Sequence, residues 1–179
     1  DDMYSEYFGI TESEMKELLE YNDMELTDEV KKWYDGYNIG GHGIYNPWSA
    51  INYVKDKKLQ PYWVNTASND LIVECIRKSD NRFKEKFNKL LNYETIKVRI
   101  EKEMTYEMLH IEDNIWGLFM NAGYITLSGE NTGFIEYNIK IPNYEIQLEF
   151  EKIVTISANM ASGYLYDMFQ ALIENNMEL

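Results

Sequence analysis

The sequence predicts a mostly helical α+β fold. Amphipathic helix patterns, several of them with a capping residue at their start, recur along the 179 residues. Two pairs of short strand patterns interrupt them, at 37–45 and 124–141, and each pair surrounds a glycine-containing turn. Hydrophobic residues make up 45% and aromatic residues 15% of the chain, which indicates a core built largely on Tyr, Phe and Trp side chains.

The first two helices are marked by their caps. Thr11 and Glu14 form a capping box, and the helix that follows is predicted to run to about residue 22. Thr27 caps a second helix, which is predicted to end near Gly36. The glycines within 37–45 disfavour a helix there and predict a small hairpin with a Gly-Gly turn.

A third helix begins at Asn46-Pro47, since Asn is a good cap and Pro suits the first helical position. We expect it to end in the basic stretch 55–58. Its predicted apolar face consists of Trp48, Ile51 and Val54, with Tyr53 beside them. A short extended piece at 62–64, helices at 69–78 and 80–91, and a strand at 94–100 follow.

The last third combines helices with the second hairpin. A helix at 114–122 stops at Gly123, two strands follow, and Pro142-Asn143 opens a long helix. The predicted apolar stripe of that helix is Ile146, Phe150, Ile153, Val154 and Met160. A final amphipathic helix carries Leu165, Met168, Phe169 and Leu172. The order helix, hairpin, helix predicts a winged-helix-like unit.

The charge balance disfavours nucleic acid as a partner of this chain. Lys and Arg number 17 and Asp and Glu number 31, so the net charge is −14, whereas binding to phosphates requires basic residues. Nine of the basic residues gather between Arg77 and Lys102. We interpret them as solvated helix faces and one strand, with a phosphate-facing surface as the alternative.

The sequence offers no catalytic residue, no bound cofactor and no metal site that we can identify. Cys75 lies in an apolar stretch, which favours a buried thiol, and a single cysteine fits a reducing, cytoplasmic compartment. His42 and His110 are far apart in the sequence, and the glycines at 40–43 lack the lysine of a phosphate loop. No apolar run has the length of a membrane span, so we expect no membrane association.

Three aromatic-polar clusters are the densest local signal, at 33–37, 45–49 and 62–66. They form either a compact aromatic subcore or a surface that receives a partner domain or ligand, because Trp and Tyr are favoured in both settings. The candidate interface residues are Trp33, Tyr34, Asp35, Tyr37, Tyr45, Asn46, Trp48, Tyr62, Trp63 and Asn65.

These clusters also carry a resemblance to a known family. Together with the segment Glu6-Tyr7-Phe8-Gly9-Ile10-Thr11, the motifs Trp-Tyr-Asp-Gly-Tyr (33–37), Tyr-Asn-Pro-Trp-Ser (45–49) and Tyr-Trp-Val-Asn-Thr (62–66) stand in the family's order. They resemble the C-terminal part of the predicted AAA-ATPase-like domain of bacterial proteins, which often continue into a PD-(D/E)XK-type nuclease domain. The family commonly has Arg or Lys where this chain has Asn38, so a phosphate-sensing role at that position would be weakened or absent.

The resemblance implies that this chain is a fragment of a longer parent protein. The parent would bind ATP and Mg through segments upstream of it, and the nuclease carboxylates would lie downstream. We divide the chain into three parts: a helical aromatic subdomain at 1–92, a winged-helix-like subdomain at 93–160, and a helix at 161–179. The resemblance implies that this last helix leads toward the nuclease. The expected partners are the parent's own ATPase core and nuclease domains, with nucleic acid possible only for the parent.

The predicted function is that of a non-catalytic lid or coupling module, whereas the parent could be an ATPase with a nuclease domain. One alternative is a stand-alone module that binds protein or glycan through the aromatic clusters. A second is a winged-helix nucleic-acid-binding module. The second meets a difficulty in the sequence, because the presumed recognition helix 114–122 contains no Lys or Arg.

Overall fold

The structure, a computed structural model, describes residues 9–63, 66–100, 112–129 and 136–157, without the side chains of 66–70 and 112–113. Asn65, His110 and Met160 lie outside the described residues, as do the predicted helix after 163 and most of the turn of the second hairpin.

The described residues confirm a mostly helical α+β fold. The helices are α1 (Glu12–Tyr21), α2 (Asp28–Tyr34), α3 (Pro47–Asp56), α4 (Thr66–Lys78), α5 (Asn81–Leu91), α6 (Glu112–Asn121) and α7 (144–157). The strands are β1 (Ile10–Thr11), β2 (Tyr37–Ile39), β3 (His42–Tyr45), β4 (Ile96–Arg99), β5 (Thr126–Leu127) and β6 (Glu136–Lys140). They form two antiparallel sheets, with strand orders β1-β3-β2 and β4-β6-β5. The winged-helix-like arrangement of the second half stays a prediction.

The predicted caps are present where the sequence placed them. The Thr11 hydroxyl accepts a hydrogen bond from the Glu14 amide at 3.3 Å, and the Glu14 carboxylate accepts one from the Thr11 amide at 2.8 Å. Thr27 Oγ1 accepts from the Val30 amide at 3.3 Å, and Asn46 Oδ1 accepts from the Trp48 amide at 2.9 Å. These side chains satisfy amides that the first helical turn leaves without a partner, and they set where each helix begins.

The buried face predicted for α3 was wrong in two of its residues. The side chains of Trp48 and Ile51 are 63% and 57% exposed, and the helix instead buries Ser49, Ala50 and Tyr53. The reason lies outside the helix: Ser49 reaches a buried carboxylate on α7, and Ala50 is small enough to let α3 pack closely against the core. A helix can turn only one side inward, so the larger apolar residues remain outside.

The buried side chains form two hydrophobic cores. The first core consists of Met15, Leu19, Val30, Tyr34, Tyr45, Ala50 and Tyr53. The second core is larger and joins residues of α4, α5, β4, α6, β5, β6 and α7 around Trp116, Phe119 and Phe150. Helices α4 and α5 therefore bury their apolar faces with the C-terminal half of the chain. The subdomain boundaries at 92 and 160 stay a prediction.

The edges of the two sheets meet at a single threonine. Asn38, on the edge strand β2, donates its amide to the Thr126 hydroxyl at 2.8 Å, and that hydroxyl donates to the Asn38 carbonyl over a longer 3.5 Å. Thr126 lies on β5, the edge strand of the other sheet. One hydroxyl thus satisfies both backbone groups of an edge residue that would otherwise be open to another strand.

We expect Thr126→Val to destabilise the fold by about 1–2 kcal/mol, because the nearly isosteric side chain removes the partner of a part-buried backbone amide. Urea unfolding followed by tryptophan fluorescence measures the cost. Thr95→Val is the matched control, since Thr95 is exposed and its hydroxyl meets, among the described residues, only Ser128, at 3.3 Å. It should change stability by less than about 0.5 kcal/mol. An equal loss of unfolding free energy at the two positions would mean that the hydrogen bonds between Thr126 and Asn38 do not stabilise the fold.

Candidate functional site

The candidate site is the region where the two cores meet, around the first turn of α7, together with α3 and the segment 60–63. We call this region the joint. Asn143 caps α7 by accepting a hydrogen bond from the Ile146 amide at 3.1 Å. Glu145, in the first turn of the same helix, is fully buried. A buried carboxylate is costly unless several donors surround it, so its surroundings determine what this joint can do.

Three donors from two other segments converge on Glu145. One carboxylate oxygen, Oε1, accepts from the backbone amides of Tyr62 at 2.5 Å and Trp63 at 2.7 Å. The other, Oε2, accepts from the Ser49 hydroxyl at 2.8 Å. The carboxylate therefore links α3 and the segment 60–63 to α7 through hydrogen bonds. Two of the three aromatic-polar clusters identified in the sequence are held by this one side chain.

The electrostatic surroundings of Glu145 are neutral or acidic. Burial raises the pKa of its carboxyl group, the hydrogen bonds from Trp63, Ser49 and Tyr62 act in the opposite direction, and the nearby carboxylate of Glu149 raises it further. Glu149 is itself 2% exposed and pairs with Lys152 Nζ at 3.1 Å. The net effect is a raised pKa, which means that the fold favours the protonated acid more than water does.

The first aromatic-polar cluster joins the same place from α2. Gly36 has a φ of +121°, and a Cβ atom there would overlap the carbonyl oxygen of Pro142, directly before α7. The next residue, Tyr37, donates its hydroxyl to the Gly123 carbonyl at 2.9 Å. Burial raises the pKa of the Tyr37 phenol, so it remains a hydrogen-bond donor at physiological pH.

Aromatic pairs close the joint on two sides. Trp33 contacts Tyr144 edge-on, with ring centroids 4.9 Å apart, and Trp63 contacts Tyr124 in the same manner, also at 4.9 Å. Lys32 adds an ammonium group 4.8 Å from the Tyr144 ring centroid. The first pair links α2 to the start of α7, and the second links the segment 60–63 to Tyr124 of the second core. Such pairs contribute about 0.5–1.5 kcal/mol beyond the area they bury.

The structure places most of the candidate interface residues inside this joint. Two are fully buried, Tyr34 and Tyr45. Six are half-buried: Trp33, Asp35, Tyr37, Asn46, Tyr62 and Trp63. Trp48 alone among the described members is mostly exposed, and its indole N–H donates to the Tyr62 carbonyl at 3.1 Å. Whether these residues also contact another domain stays a prediction.

Sequence reasoning missed Glu145, Gly123 and Thr126, which supply much of the joint's polar chemistry. A glutamate in the first turn of a helix normally needs no special explanation, because it complements the helix dipole. The local sequence does not set Glu145 apart, because Gln147 and Glu149 also lie in the first two turns of this helix. The donors that meet its carboxylate are more than 80 positions away in the sequence.

Two predictions about local structure are confirmed: the burial of Cys75 and the turn at 40–41. Cys75 is buried, and burial raises the pKa of its thiol, so it is an unreactive core residue. The glycines at 40–41 form the β2–β3 turn with positive φ angles and lead into a strand, so they do not present a helix N-terminus to a phosphate.

Within the described ranges, no group of three or more His, Cys, Asp or Glu side chains could hold a metal ion. No helix in the same ranges is long and apolar enough to cross a membrane.

Comparison with known proteins yields one distant relative. No family model and no solved structure matches the chain. A protein from Azotobacter chroococcum mcd 1, named as an uncharacterized protein in the vnfD 5′ region, is 24% identical over 181 residues. The match covers 96% of this chain and 33% of the relative, so the chain spans about a third of the relative's length. The resemblance to the AAA-ATPase-like family therefore stays a prediction.

Proposed function

We propose that this chain is a non-catalytic lid or coupling module of a larger bacterial AAA-ATPase-like protein that also carries a PD-(D/E)XK-type nuclease domain. ATP and Mg would be bound by other segments of that protein, and the partners of this module would be the ATPase core and the nuclease of the same polypeptide. The proposal includes a cytoplasmic location, which the single cysteine supports.

The observation that supports the proposal best is the convergence of α3 and the segment 60–63 on Glu145 of α7. A module that transmits a conformational change needs elements that move together. Here α3, the segment 60–63 and α7 share one buried carboxylate, and Gly36 lets α2 approach the start of α7 closely. A displacement of α2 or α3 would therefore move α7 as well.

The test uses the longer protein and compares two variants at Glu145. Glu145→Gln keeps the geometry of the joint, whereas Glu145→Ala removes the acceptor that holds it together. We expect ATP hydrolysis to persist in both, and the dependence of nuclease activity on ATP to be lost only in Glu145→Ala. If both variants retain coupled activities, the joint does not transmit nucleotide state.

This chain alone should neither bind nor hydrolyse ATP, and calorimetric titration with Mg-ATP checks that expectation.

A second candidate function, a module that binds protein or glycan, has one observation in its favour. Trp48 and Ile51 expose apolar surface one helical turn apart on α3, and the indole orientation is held by its bond to the Tyr62 carbonyl. An exposed and pre-oriented tryptophan is the kind of residue that dominates binding energies. Trp33 and Trp63 do not extend this surface, because each packs edge-on against a tyrosine, Tyr144 and Tyr124 respectively.

Trp48→Ala distinguishes the two candidates. Because the side chain is mostly exposed, we expect unfolding in urea to change by less than about 1 kcal/mol. A binding module would lose its affinity for a partner or glycan, by tenfold or more, in a pull-down or on a glycan array. A coupling module would retain the ATP dependence of its parent. Ile156→Ala, at a 46% exposed position on α7, is the control for loss of exposed apolar surface.

Binding of nucleic acid through a winged-helix recognition helix gains no support from α6. Its described side chains Asn114, Ile115, Trp116 and Phe119 are buried, so this helix could not enter a groove without leaving the second core. A nucleic-acid-binding role would therefore need another surface of the chain.

A further inference from the structure

A cavity of about 430 Å³ lies between the β2–β3 hairpin and the segment that joins α6 to β5. One wall consists of hairpin residues from Tyr37 to Gly40 and from Ile44 to Pro47. The other consists of residues between Met120 and Leu127. The two walls belong to the two sheets that Thr126 connects. A volume of this size is within the range of small-molecule sites, which occur preferentially where two packed units meet.

The walls of this cavity carry no charge. None of the described residues that line it is Asp, Glu, Lys, Arg or His, although 27% of the chain is charged and its net charge is −14. Most of the lining is apolar, from isoleucine, leucine, methionine, proline and tyrosine side chains. An ionised ligand would lose hydration there without meeting an opposite charge, which is unfavourable. The lining therefore selects against ions.

The polar groups of the lining limit the ligand chemistry further. The Tyr37 hydroxyl donates to the Gly123 carbonyl, and the Thr126 hydroxyl is engaged with the backbone of Asn38. Asn38 Oδ1 accepts from the Gly41 amide at 3.0 Å, which leaves its NH₂ group as the part of that side chain that can meet a ligand. An amide NH₂ donates hydrogen bonds, so it favours a ligand that carries an acceptor.

We propose that this cavity is a binding site for a small, uncharged, mainly apolar molecule with a carbonyl-type hydrogen-bond acceptor. The walls supply apolar contact area from both sheets, and the Asn38 amide supplies a donor that orients the ligand. Both walls of the cavity belong to this chain, so ligand binding needs no other domain. The proposal therefore does not depend on the coupling role proposed above.

Three probes of the same shape and different charge test the proposal: benzamide, benzoate and benzamidinium. Each is titrated into the chain labelled with ¹⁵N, and the amide signals of Gly40, Gly123 and Leu127 are followed. We expect benzamide to shift these signals with an affinity at least tenfold higher than that of either ion. Equal affinities for the three probes, or shifts that miss these three amides, would overturn the proposal, as would the absence of any shift at millimolar benzamide.

A variant that fills the cavity makes the test independent of spectral assignment. Ile39 lines the cavity and is 37% exposed, so Ile39→Trp adds volume at the rim with little risk to the fold. It should weaken benzamide binding at least tenfold. Ile156→Trp, at an exposed position outside the cavity, should leave the affinity unchanged. If Ile39→Trp loses its dispersed amide spectrum, Leu127→Trp on the opposite wall replaces it. Unchanged affinity in a folded filling variant would place the probe elsewhere and refute the site.

Discussion

Replacing Gly36 with alanine should destabilise the fold strongly, because the added methyl group would overlap backbone atoms. The new Cβ would overlap the carbonyl oxygen of Pro142 and lie 2.8 Å from its carbonyl carbon. Both atoms are backbone, so no side chain can rotate away to relieve the overlap. The φ of +121° adds strain, because side chains rarely adopt this conformation. We expect a loss of about 4 kcal/mol or more, measured as the decrease in the free energy of unfolding in urea.

Gly41→Ala is the control that separates the two causes. Gly41 also has a positive φ, +86°, but a Cβ there would have no heavy atom within 4 Å. It should therefore cost only the conformational strain, roughly 1–2 kcal/mol. The difference in unfolding free energy between the two variants measures the cost of the close approach between Gly36, after α2, and Pro142, before α7. Similar costs at the two glycines would show that the chain can separate these segments without loss, and the description of the joint as rigid would then be wrong.

The elements of this fold were predictable from sequence because their determinants are local. The Thr11 cap, the Thr27 cap and the hairpin turn at 40–41 each depend on residues within about four positions of one another. Hydrogen bonds over such short distances form in the same manner in many folds, so the residue pattern alone indicates them. The alternation of Ile96 and Val98 with exposed residues likewise follows from strand geometry.

The joint was not predictable, because its determinants are far apart in the sequence. The bond from Ser49 to Glu145 spans 96 positions, and the one from Asn38 to Thr126 spans 88. No local pattern indicates which carboxylate will be enclosed or which side of α3 will meet it. The exposed positions of Trp48 and Ile51 follow from that long-range contact. Hydrophobic periodicity ranks residues by their apolar character, whereas the requirement to satisfy a buried carboxylate orients this helix.

Removal of the Glu145 carboxylate should be costly, whereas its conversion to an amide should not. Glu145→Ala would leave the amides of Tyr62 and Trp63 and the Ser49 hydroxyl without their acceptor. Since these groups are buried or part-buried, we expect a loss of about 3–5 kcal/mol. In Glu145→Gln the carbonyl oxygen can accept from both amides while the new NH₂ group donates to Ser49 Oγ. That variant should stay within about 1 kcal/mol of the wild type in urea unfolding at neutral pH.

Ser49→Ala measures the share of one contact in this arrangement. It removes the only side-chain donor recorded for Glu145 among the described residues and leaves both backbone amides in place. We expect a loss of roughly 1 kcal/mol, well below that of Glu145→Ala. If Ser49→Ala costs as much as Glu145→Ala, the hydroxyl rather than the pair of amides carries the joint, and α3 is its main element.

The pH dependence of the Glu145→Gln variant tests whether burial or hydrogen bonding dominates at this carboxyl. Because burial raises its pKa above the ordinary value near 4.5, the folded chain binds this proton more tightly than the unfolded chain does. Stability from this group is therefore present at acidic pH and is lost as the pH rises from about 4.5 through the raised pKa. Glutamine does not titrate, so the difference in unfolding free energy between the two proteins cancels most other titrating groups. That difference should move in favour of glutamine as the pH rises from 4 to 8. A change in the opposite direction would mean that the three donors outweigh burial and that the joint holds the ionised carboxylate in preference to the acid.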